Sequence, residues 1–207
     1  MEVYDAINAR RTVRDFEDRP IGRQALRRII GAGLKAPTNN HLREWEFIVL
    51  EGRQRRLEAV AMVRDREGRE AVDIVDRWGL VESSQREMYI DAISKQRRML
   101  VAAGCLIIPV FRQEEPLLKP GSLSALNGFA SIWCCIENML LAAASEGIQG
   151  VTRIPFDEEA RFLKAELNVP QGYEIPCCLA LGYPGGQQAK IRQYAVDVDA
   201  KIHLDRW

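Results

Sequence analysis

The chain has 207 residues, and its 29 basic and 29 acidic side chains give a formal net charge of zero. A neutral chain has no overall field that would hold a nucleic acid or an anionic membrane, so any anion site has to be local. Apolar residues make up 47% and charged residues 28% of the chain. These values are ordinary for a globular protein and exclude disordered and collagen-like classes. The length predicts a single domain over residues 1–207.

The cysteines of the chain are Cys105, Cys134, Cys135, Cys177 and Cys178. None has Cys-x-x-Cys spacing, so we interpret them as small buried apolar residues of a reducing compartment, with no metal site; a redox role is the alternative. The first thirty residues lack the apolar segment of a secretory signal, which favours a cytoplasmic protein. The most apolar stretch, 129–144, is too short to span a membrane and predicts a buried core helix.

In the first half of the chain, hydrophobic spacing predicts two helices, over residues 2–11 and 21–36, the second ended by Pro37. A loop is expected after this proline. Aromatic and β-branched residues over 45–50 predict a strand. Charged helices are predicted over 53–64 and about 84–101, with an unassigned stretch rich in Arg, Asp and Glu between them.

The second half predicts a strand over 105–111, a loop over 112–121, a helix from about 122 to 146, a strand over 148–154, a helix over 157–167 and a strand over 174–183. Pro109 cannot donate a backbone hydrogen bond, so it argues for an edge position or for the end of strand pairing. Strands that alternate with helices predict one layer of sheet with helices around it, in an α/β or α+β domain.

Residues 187–207 have no helical period and contain several apolar side chains. A tail of this length and composition is expected to pack on another surface, such as a second subunit. We therefore divide the single domain into a core, 1–186, and an extended arm, 187–207.

The sharpest local motif is Arg10-Arg11-Thr12-Val13-Arg14, at the end of the first predicted helix. Three guanidinium groups and a hydroxyl over five residues are suited to bind a phosphate, because arginine offers paired donors that match phosphate oxygens. The alternative interpretation is that these charged residues lie on the solvated surface and bind no ligand.

A second cationic pair, Lys190 and Arg192, lies in the tail with one residue between its members, so both side chains point the same way in an extended chain. Such a pair usually lies on the solvated surface of a protein. If the tail passed the arginine motif, however, the five cations would need an anion among them, and a bound phosphate would supply it.

The loop over 36–41 contains small polar residues that allow a backbone to approach a flat ligand, although such a loop is also an ordinary turn. The chain has no P-loop, no G-x-G-x-x-G, no H-E-x-x-H and no G-x-S-x-G motif, which removes the best support for hydrolases and nucleotide-driven motors. His41 and His203 are far apart in the sequence, and the cysteines are expected to be buried, which argues against a cysteine nucleophile.

Four segments, INARRTVRDF, LKAPTNNHLREWEFIVL, IENMLLAAASEGIQGV and LALGYP, resemble the FMN-dependent nitroreductase family in their order and spacing. The resemblance spans about 190 residues, although 52–104 contain nothing diagnostic. It implies an α+β fold with a central mixed β-sheet surrounded by helices. It also implies an interlocked homodimer in which each C-terminal arm wraps the partner and FMN binds at the interface.

The resemblance also assigns cofactor-binding residues. The family's phosphate ligands match Arg10, Arg11, Thr12, Lys190 and Arg192. Arg14 is expected near N1 and O2 of the isoalloxazine ring, where a cation favours the reduced flavin. The loop that covers the flavin from the second subunit matches Pro37, Thr38 and Asn39, with His41 in the same loop and Trp45 packing beside it. Backbone amides near flavin N5 and O4 match Arg153 and Ile154.

Some positions depart from the family pattern. His41, Arg43 and Glu44 replace Asn, Gln and Pro of the family loop, which leaves substrate preference open. Pro155 stands where the family often has a glycine with a free amide, and proline has no N–H. Only Ile154 could then donate at this point, so the flavin potential is expected to differ.

The function implied is an NAD(P)H oxidoreductase that passes hydride through flavin N5 in a ping-pong scheme, with no obligatory catalytic side chain. The donor is NADH or NADPH, and a nitroaromatic, a quinone, free flavin or an enone is the acceptor. One alternative is a specialised enzyme of the same fold, for reductive dehalogenation or flavin fragmentation, with a lid in residues 64–98. Others are a non-enzymatic flavin sensor and an interaction protein without a cofactor.

Overall fold

A computed structural model describes residues 2–186 and 195–207. Its helices are α1 (Val3–Ala9), α2 (Arg23–Gly33), α3 (Arg53–Ala59), α4 (Arg69–Arg77), α5 (Ser83–Ser94), α6 (Gln96–Ala102), α7 (Asn127–Ser145) and α8 (Asp157–Glu166). Its strands are β1 (Trp45–Leu50), β2 (Cys105–Arg112), β3 (Gln149–Arg153), β4 (Tyr173–Glu174) and β5 (Cys178–Gly182). The predicted α+β class is confirmed.

The strands form one sheet in the order β1-β2-β5-β3, with β4 also paired to β2. Every ladder between these strands is antiparallel. An isolated bridge between Thr12 and Gly150 is parallel and adds the N-terminal segment to the outer side of β3. The five strands are therefore antiparallel throughout, and the mixed sheet that the family resemblance implies is not seen beyond this isolated bridge in the described residues.

The central strand β2 corrects one prediction, because Pro109 does not lie at a sheet edge. On one side, β1 pairs along the length of β2, with Phe47 opposite Pro109. On the other side, β5 pairs with 105–107 and β4 with 111–112, so Pro109 lies in the gap between two ladders. The alternative interpretation, the end of pairing, fits this second side, where a residue without an N–H is tolerated.

Both faces of the sheet are covered, so β2 is buried on both sides. Cys105, Ile107 and Phe111 contribute to a core shared with α2 and α7. The alternate residues Leu106 and Ile108 contribute to a second core that includes side chains of α3, α6 and α8, as do Val110 and other neighbours. A strand buried on both faces is apolar at every position, which is why 105–111 is a continuous apolar run in the sequence.

The charged middle of the chain contains more elements than predicted. The helix expected over 84–101 is divided at Lys95, whose φ of −119° and ψ of 11° leave the helical region. The carboxylate of Asp65 accepts hydrogen bonds from the Arg97 and Arg98 amides, at 2.6 and 3.0 Å, and so caps the start of α6. Because this cap comes from 32 residues away, local sequence could not show it.

Helix α4 lies in the stretch that had no assignment, and the predicted last strand is divided into β4 and β5. Ala71, Ile74 and Val75 of α4 pack with Ile93 of α5 in a small cluster of their own. The apolar pattern of α4 covers only a few residues among many charged ones, so the helix could not be recognised from the sequence.

Helix α7 continues the turn at Leu123–Leu126, and the combined stretch Leu123–Ser145 is long and apolar enough, by length and composition alone, to cross a membrane. This stretch is longer than the apolar run over 129–144, which we considered too short to span a membrane. In the structure, Ile132, Ile136 and Met139 are buried in the core shared with α2 and the sheet, as expected for a core helix.

Burial of the cysteines is confirmed at four positions, but Cys134 is exposed, which contradicts the prediction for that residue. Cys134 is on the outer side of α7, next to the buried Cys135. Burial raises the pKa of Cys105, Cys135 and Cys178 to about 12 and raises the pKa of Cys177 well above its usual value. These four thiols therefore stay protonated and unreactive at neutral pH.

The tail has no α-helix within 195–207, only a 3-10 turn at Asp199–Lys201. Its large apolar side chains are exposed, from Val196 to Trp207. The predicted phosphate ligands Lys190 and Arg192 lie outside the described residues. The division into a core and an arm therefore stays a prediction.

Close contact between α2 and α7 depends on Gly33. A Cβ built there would lie 2.6 Å from Met139 Cγ and 2.9 Å from Cys135 Sγ. We expect Gly33→Ala to lower the free energy of unfolding by about 1–3 kcal/mol, because an overfilled contact forces the helices apart. Gly31, on the same helix, has nothing within 4 Å of a Cβ, so Gly31→Ala should raise stability through helix propensity. Urea unfolding of both variants checks this, and equal shifts would contradict it.

Candidate active site

The segment over 10–14 runs beside β3, outside the sheet's regular ladders. The Val13 amide donates to the Gly150 carbonyl at 3.1 Å. The Gln149 side chain ties the segment in both directions, because its Oε1 accepts from the Arg11 amide at 2.8 Å and its Nε2 donates to the Ala9 carbonyl at 3.0 Å. These contacts position the predicted phosphate motif along β3.

Gly150 allows this close arrangement. A Cβ there would lie 2.7 Å from the Ala180 carbonyl oxygen and 2.5 Å from Leu181 Cδ2. A backbone oxygen cannot move aside as a flexible side chain can. Glycine is therefore required at the point where the N-terminal segment, β3 and β5 meet.

A small cavity of about 180 Å³ opens beside Arg10 and Thr12. Arg10 Nε forms an ion pair with Glu137 Oε1 at 3.3 Å, and both side chains are partly exposed. Arg11 instead folds back on the end of α1, where its Nη1 donates to the Asn8 carbonyl at 2.5 Å. An anion in this cavity would meet Arg10 and Thr12 directly, whereas Glu137 would compete for the arginine.

Arg14 turns toward α5. Its Nη1 donates to Asp91 Oδ2 at 3.2 Å and its Nη2 to Met88 Sδ at 3.7 Å. Its side chain is only 11% exposed, and within residues 2–186 and 195–207 its buried Nε has no hydrogen-bond partner. A buried N–H without a partner is costly. An acceptor such as a carbonyl oxygen of a flavin's pyrimidine ring would satisfy it, so this residue fits the implied cofactor.

The turn after β3 is held by the buried Arg153. Its guanidinium donates to both carboxylate oxygens of Glu159 at 2.8 Å and to Gln96 Oε1 at 2.5 Å. Glu159 also accepts from the Phe156 amide at 2.8 Å. Since Pro155 has no N–H and the Phe156 amide is engaged, the Ile154 amide is the free backbone donor of the turn over 154–156.

A larger cavity, about 910 Å³, lies between this turn and the helices α4 and α5. Trp78, Tyr89 and Phe156 are its aromatic lining residues, and Trp78 meets Tyr89 edge to face with ring centroids 5.4 Å apart. The remaining walls contain Arg64, Arg66, Arg77, Asp157, Glu158 and others. A space of this size lined by aromatic rings suits a flat aromatic ligand.

The loop over 37–41, which the family resemblance assigns to cover the flavin, lies apart from the segment over 10–14 within one chain. Thr38 and Asn39 line a third cavity, of about 310 Å³, with Trp45 and Phe111 but with no residue of the segment over 10–14. The Asn39 amide donates to the Ser131 hydroxyl at 3.2 Å, which places the loop near the start of α7.

The same loop has an unusual backbone. Asn40, His41 and Arg43 have φ values of 50°, 57° and 47°, in the left-handed region that non-glycine residues seldom adopt. The Arg43 amide donates to Thr38 Oγ1 at 3.3 Å and helps to hold this conformation. Strained backbone of this kind clusters at ligand sites.

The structure places Arg10, Arg11, Thr12 and Arg14 on a segment fixed along β3, and Arg153 and Ile154 at the end of that strand. Arg10 and Thr12 line the small cavity, whereas Arg153 lines the larger one. Pro37, Thr38, Asn39 and His41 lie elsewhere on the chain, and their assignment to the site of a second subunit stays a prediction. Sequence reasoning missed the aromatic lining and Asp91. In the part of the chain that the structure describes, no group of three or more His, Cys, Asp or Glu side chains could hold a metal ion.

Comparison with known proteins identifies the fold. Residues 7–183 match the model of the Nitroreductase family. The 4-nitrobenzoate reductase of Nocardioides sp. (strain LMS-CY) is 25% identical over 204 residues, which cover 90% of this chain and 83% of that protein. The predicted family resemblance is confirmed.

Solved structures agree with this match. The iodotyrosine deiodinase bound to FMN and 3-iodo-L-tyrosine has a TM-score of 0.71 at 20% identity, over 95% of this chain and 97% of that one. A BluB-like flavoprotein from Clostridium difficile 630 has a TM-score of 0.72 at 18% identity and full coverage of both chains. At these identities the likeness shows the fold, which confirms the predicted nitroreductase-like architecture.

Proposed function

Because this chain belongs to the Nitroreductase family, we propose that it is an FMN-dependent oxidoreductase that takes electrons from NADH or NADPH and passes them to aromatic or quinone-like acceptors. The observation that carries the proposal is the buried Arg14 Nε, which has no hydrogen-bond partner among the described residues and lies on a segment fixed along β3. The turn that follows β3 leads directly to the aromatic-lined cavity.

The chain's own residues would bind and orient the cofactor. Arg10 and Thr12, with Lys190 and Arg192 of the tail, supply cations and a hydroxyl for the phosphate group. Arg14 would donate on the side of the ring that carries N1 and O2, and the Ile154 amide would donate on the side that carries N5 and O4. Bound FMN supplies the electron-transfer chemistry, which is why the protein needs no acid, base or nucleophile of its own.

The larger cavity is the proposed acceptor site. It adjoins Arg153 and Pro155, the stretch assigned to the reactive edge of the flavin. Trp78 and Phe156 present partly exposed rings that an aromatic acceptor can stack against while displacing water. The similarity to a protein named 4-nitrobenzoate reductase supports an aromatic acceptor.

We also propose a homodimer. Val3, Tyr4 and Ile7 expose apolar side chains on α1, as do several residues of 195–207, and such surfaces indicate a partner. Sedimentation equilibrium should give twice the chain mass of 23.5 kDa. Tyr4→Arg together with Ile7→Arg should shift the protein toward the monomer, whereas Val81→Arg, on a 92% exposed side chain, should not. A monomeric wild-type protein would contradict the proposal.

A specialised reaction is the second candidate, because fold neighbours include a deiodinase and a BluB-like flavoprotein. Helices α4 and α5 fall in the stretch where we expected a lid. A specialist would turn over one substrate and leave simple nitroaromatics and quinones unreduced. A flavin sensor, in contrast, would bind FMN without any turnover.

The test is the absorbance spectrum of the purified protein with FMN, recorded anaerobically before and after NADH and then NADPH. Loss of the flavin band at roughly 450 nm, and its return on adding a nitroaromatic or a quinone, is the expected result for this cofactor. Binding without loss of the band favours the sensor. No FMN binding at all would overturn the proposed function and leave only a shared fold.

A further inference from the structure

Four charged side chains meet between the N-terminal segment and α5. Asp91 contacts two cations: its Oδ2 lies 3.2 Å from Arg14 Nη1 and its Oδ1 lies 2.5 Å from Lys95 Nζ. Lys95 Nζ also lies 2.5 Å from Asp15 Oδ2. The side chains of Arg14, Asp91 and Lys95 are 11%, 15% and 12% exposed, so water screens these charges only weakly. We call this group the charge quartet.

The charge quartet is neutral as a whole. Burial acts to lower the pKa of Lys95, but hydrogen bonds to Asp15 and Asp91 raise it overall. Lys95 is therefore protonated at neutral pH. Each cation thus has a carboxylate partner, and Asp91 is the member that serves both cations.

The Asp91 side chain supplies both hydrogen-bond acceptors and a negative charge to the charge quartet. An asparagine could still accept from Arg14 Nη1 with its amide oxygen, because a single hydrogen bond of 3.2 Å makes that contact, although its NH₂ group could not accept from Lys95. What a carboxylate adds is a negative charge beside the residue assigned to the flavin's pyrimidine edge. The quartet therefore limits how much positive charge that edge experiences.

We propose that Asp91 is a positioning and charge-balancing residue that lowers the reduction potential of bound FMN by offsetting the charge of Arg14. The inference rests on the proposed function. Reduction of the flavin to its anionic form adds two electrons and one proton, so a nearby negative charge opposes it and a nearby positive charge favours it. NAD(P)H supplies the electrons and the acceptor removes them, so no further oxidant or reductant is needed.

The experiment measures the midpoint potential of bound FMN, and the dissociation constants of oxidised and reduced FMN, in four single variants of the full-length protein. Asp91→Asn removes the charge and keeps one acceptor oxygen, and Asp91→Glu keeps the charge. Lys95→Gln removes a cation from the same quartet. The matched control is Asp73→Asn, on α4, whose carboxylate forms an exposed ion pair with Arg69 at 3.9 Å.

Asp91→Asn should make the potential more positive and raise the ratio of the oxidised to the reduced FMN dissociation constant on the order of tenfold, as expected for a unit charge at an effective dielectric constant of about 20. Asp91→Glu and Asp73→Asn should leave both quantities unchanged. Lys95→Gln should shift the potential in the opposite direction, which general loss of stability cannot mimic, and it keeps the test available if Asp91→Asn fails to fold.

An unchanged or more negative potential in folded Asp91→Asn would overturn the inference while leaving the proposed function intact. An unchanged or more positive potential in Lys95→Gln would also overturn it. A wild-type protein that binds no FMN would overturn the proposed function itself, and this inference with it.

Discussion

Glu159→Ala is expected to lower the free energy of unfolding by about 3–5 kcal/mol, because it leaves a buried guanidinium without its counter-ion. The Arg153 and Glu159 side chains are only 6% and 12% exposed, and two hydrogen bonds of 2.8 Å join them. The variant also loses the acceptor of the Phe156 amide at the start of α8. Urea unfolding followed by circular dichroism measures the effect.

Glu158 offers a matched control. It is the neighbouring residue on α8, is exposed, and forms no ion pair in the described part of the chain. Glu158→Ala should change stability by no more than about 0.5 kcal/mol, as is usual for surface substitutions. If the two variants unfolded at the same urea concentration, the buried ion pair would not be a major contributor to the turn after β3.

The second large effect concerns FMN affinity. Arg10→Ala and Arg192→Ala should each weaken FMN binding tenfold or more, because one charge-assisted hydrogen bond to a phosphate contributes roughly 1.5–3 kcal/mol. Titration of flavin fluorescence gives the dissociation constants. Unchanged affinity in both variants would remove the phosphate site from this part of the molecule.

Two controls separate this effect from a general loss of positive charge. Arg27 is an exposed cation of α2, so Arg27→Ala should leave FMN affinity unchanged. Glu137→Gln should act in the opposite direction to Arg10→Ala, because Glu137 competes for Arg10 at 3.3 Å. Tighter FMN binding in Glu137→Gln would show that Arg10 has to leave its acidic partner to hold a phosphate.

Local sequence was sufficient for the strands β1 and β2. The strand over 45–50 matches β1, and the apolar run over 105–111 falls within β2, because a sheet buried on both faces selects apolar residues at each position. Local sequence was insufficient where remote side chains decide the structure. Asp65 starts α6, and the buried Arg56 donates to the Val101 carbonyl at 3.0 Å at the end of that helix.

The candidate site likewise contains residues that local sequence indicated and residues that it did not indicate. Arg10 and Thr12 could be proposed from the sequence because they lie two residues apart in a chemically distinctive motif. Asp91 was missed because it is 77 residues from Arg14 and lies in a stretch where acids are common. Trp78 and Tyr89 were missed because nothing in their local pattern separates a cavity lining from an ordinary core.

Helices α4 and α5 share a small apolar cluster that is separate from the two larger cores on the sheet. Regions with few buried apolar neighbours open at lower free energy than the rest of a protein. The backbone amides of these helices should therefore exchange with solvent deuterium through local openings that leave the strands protected. The cavity beside Trp78 can then widen for a bulky molecule while the sheet stays closed.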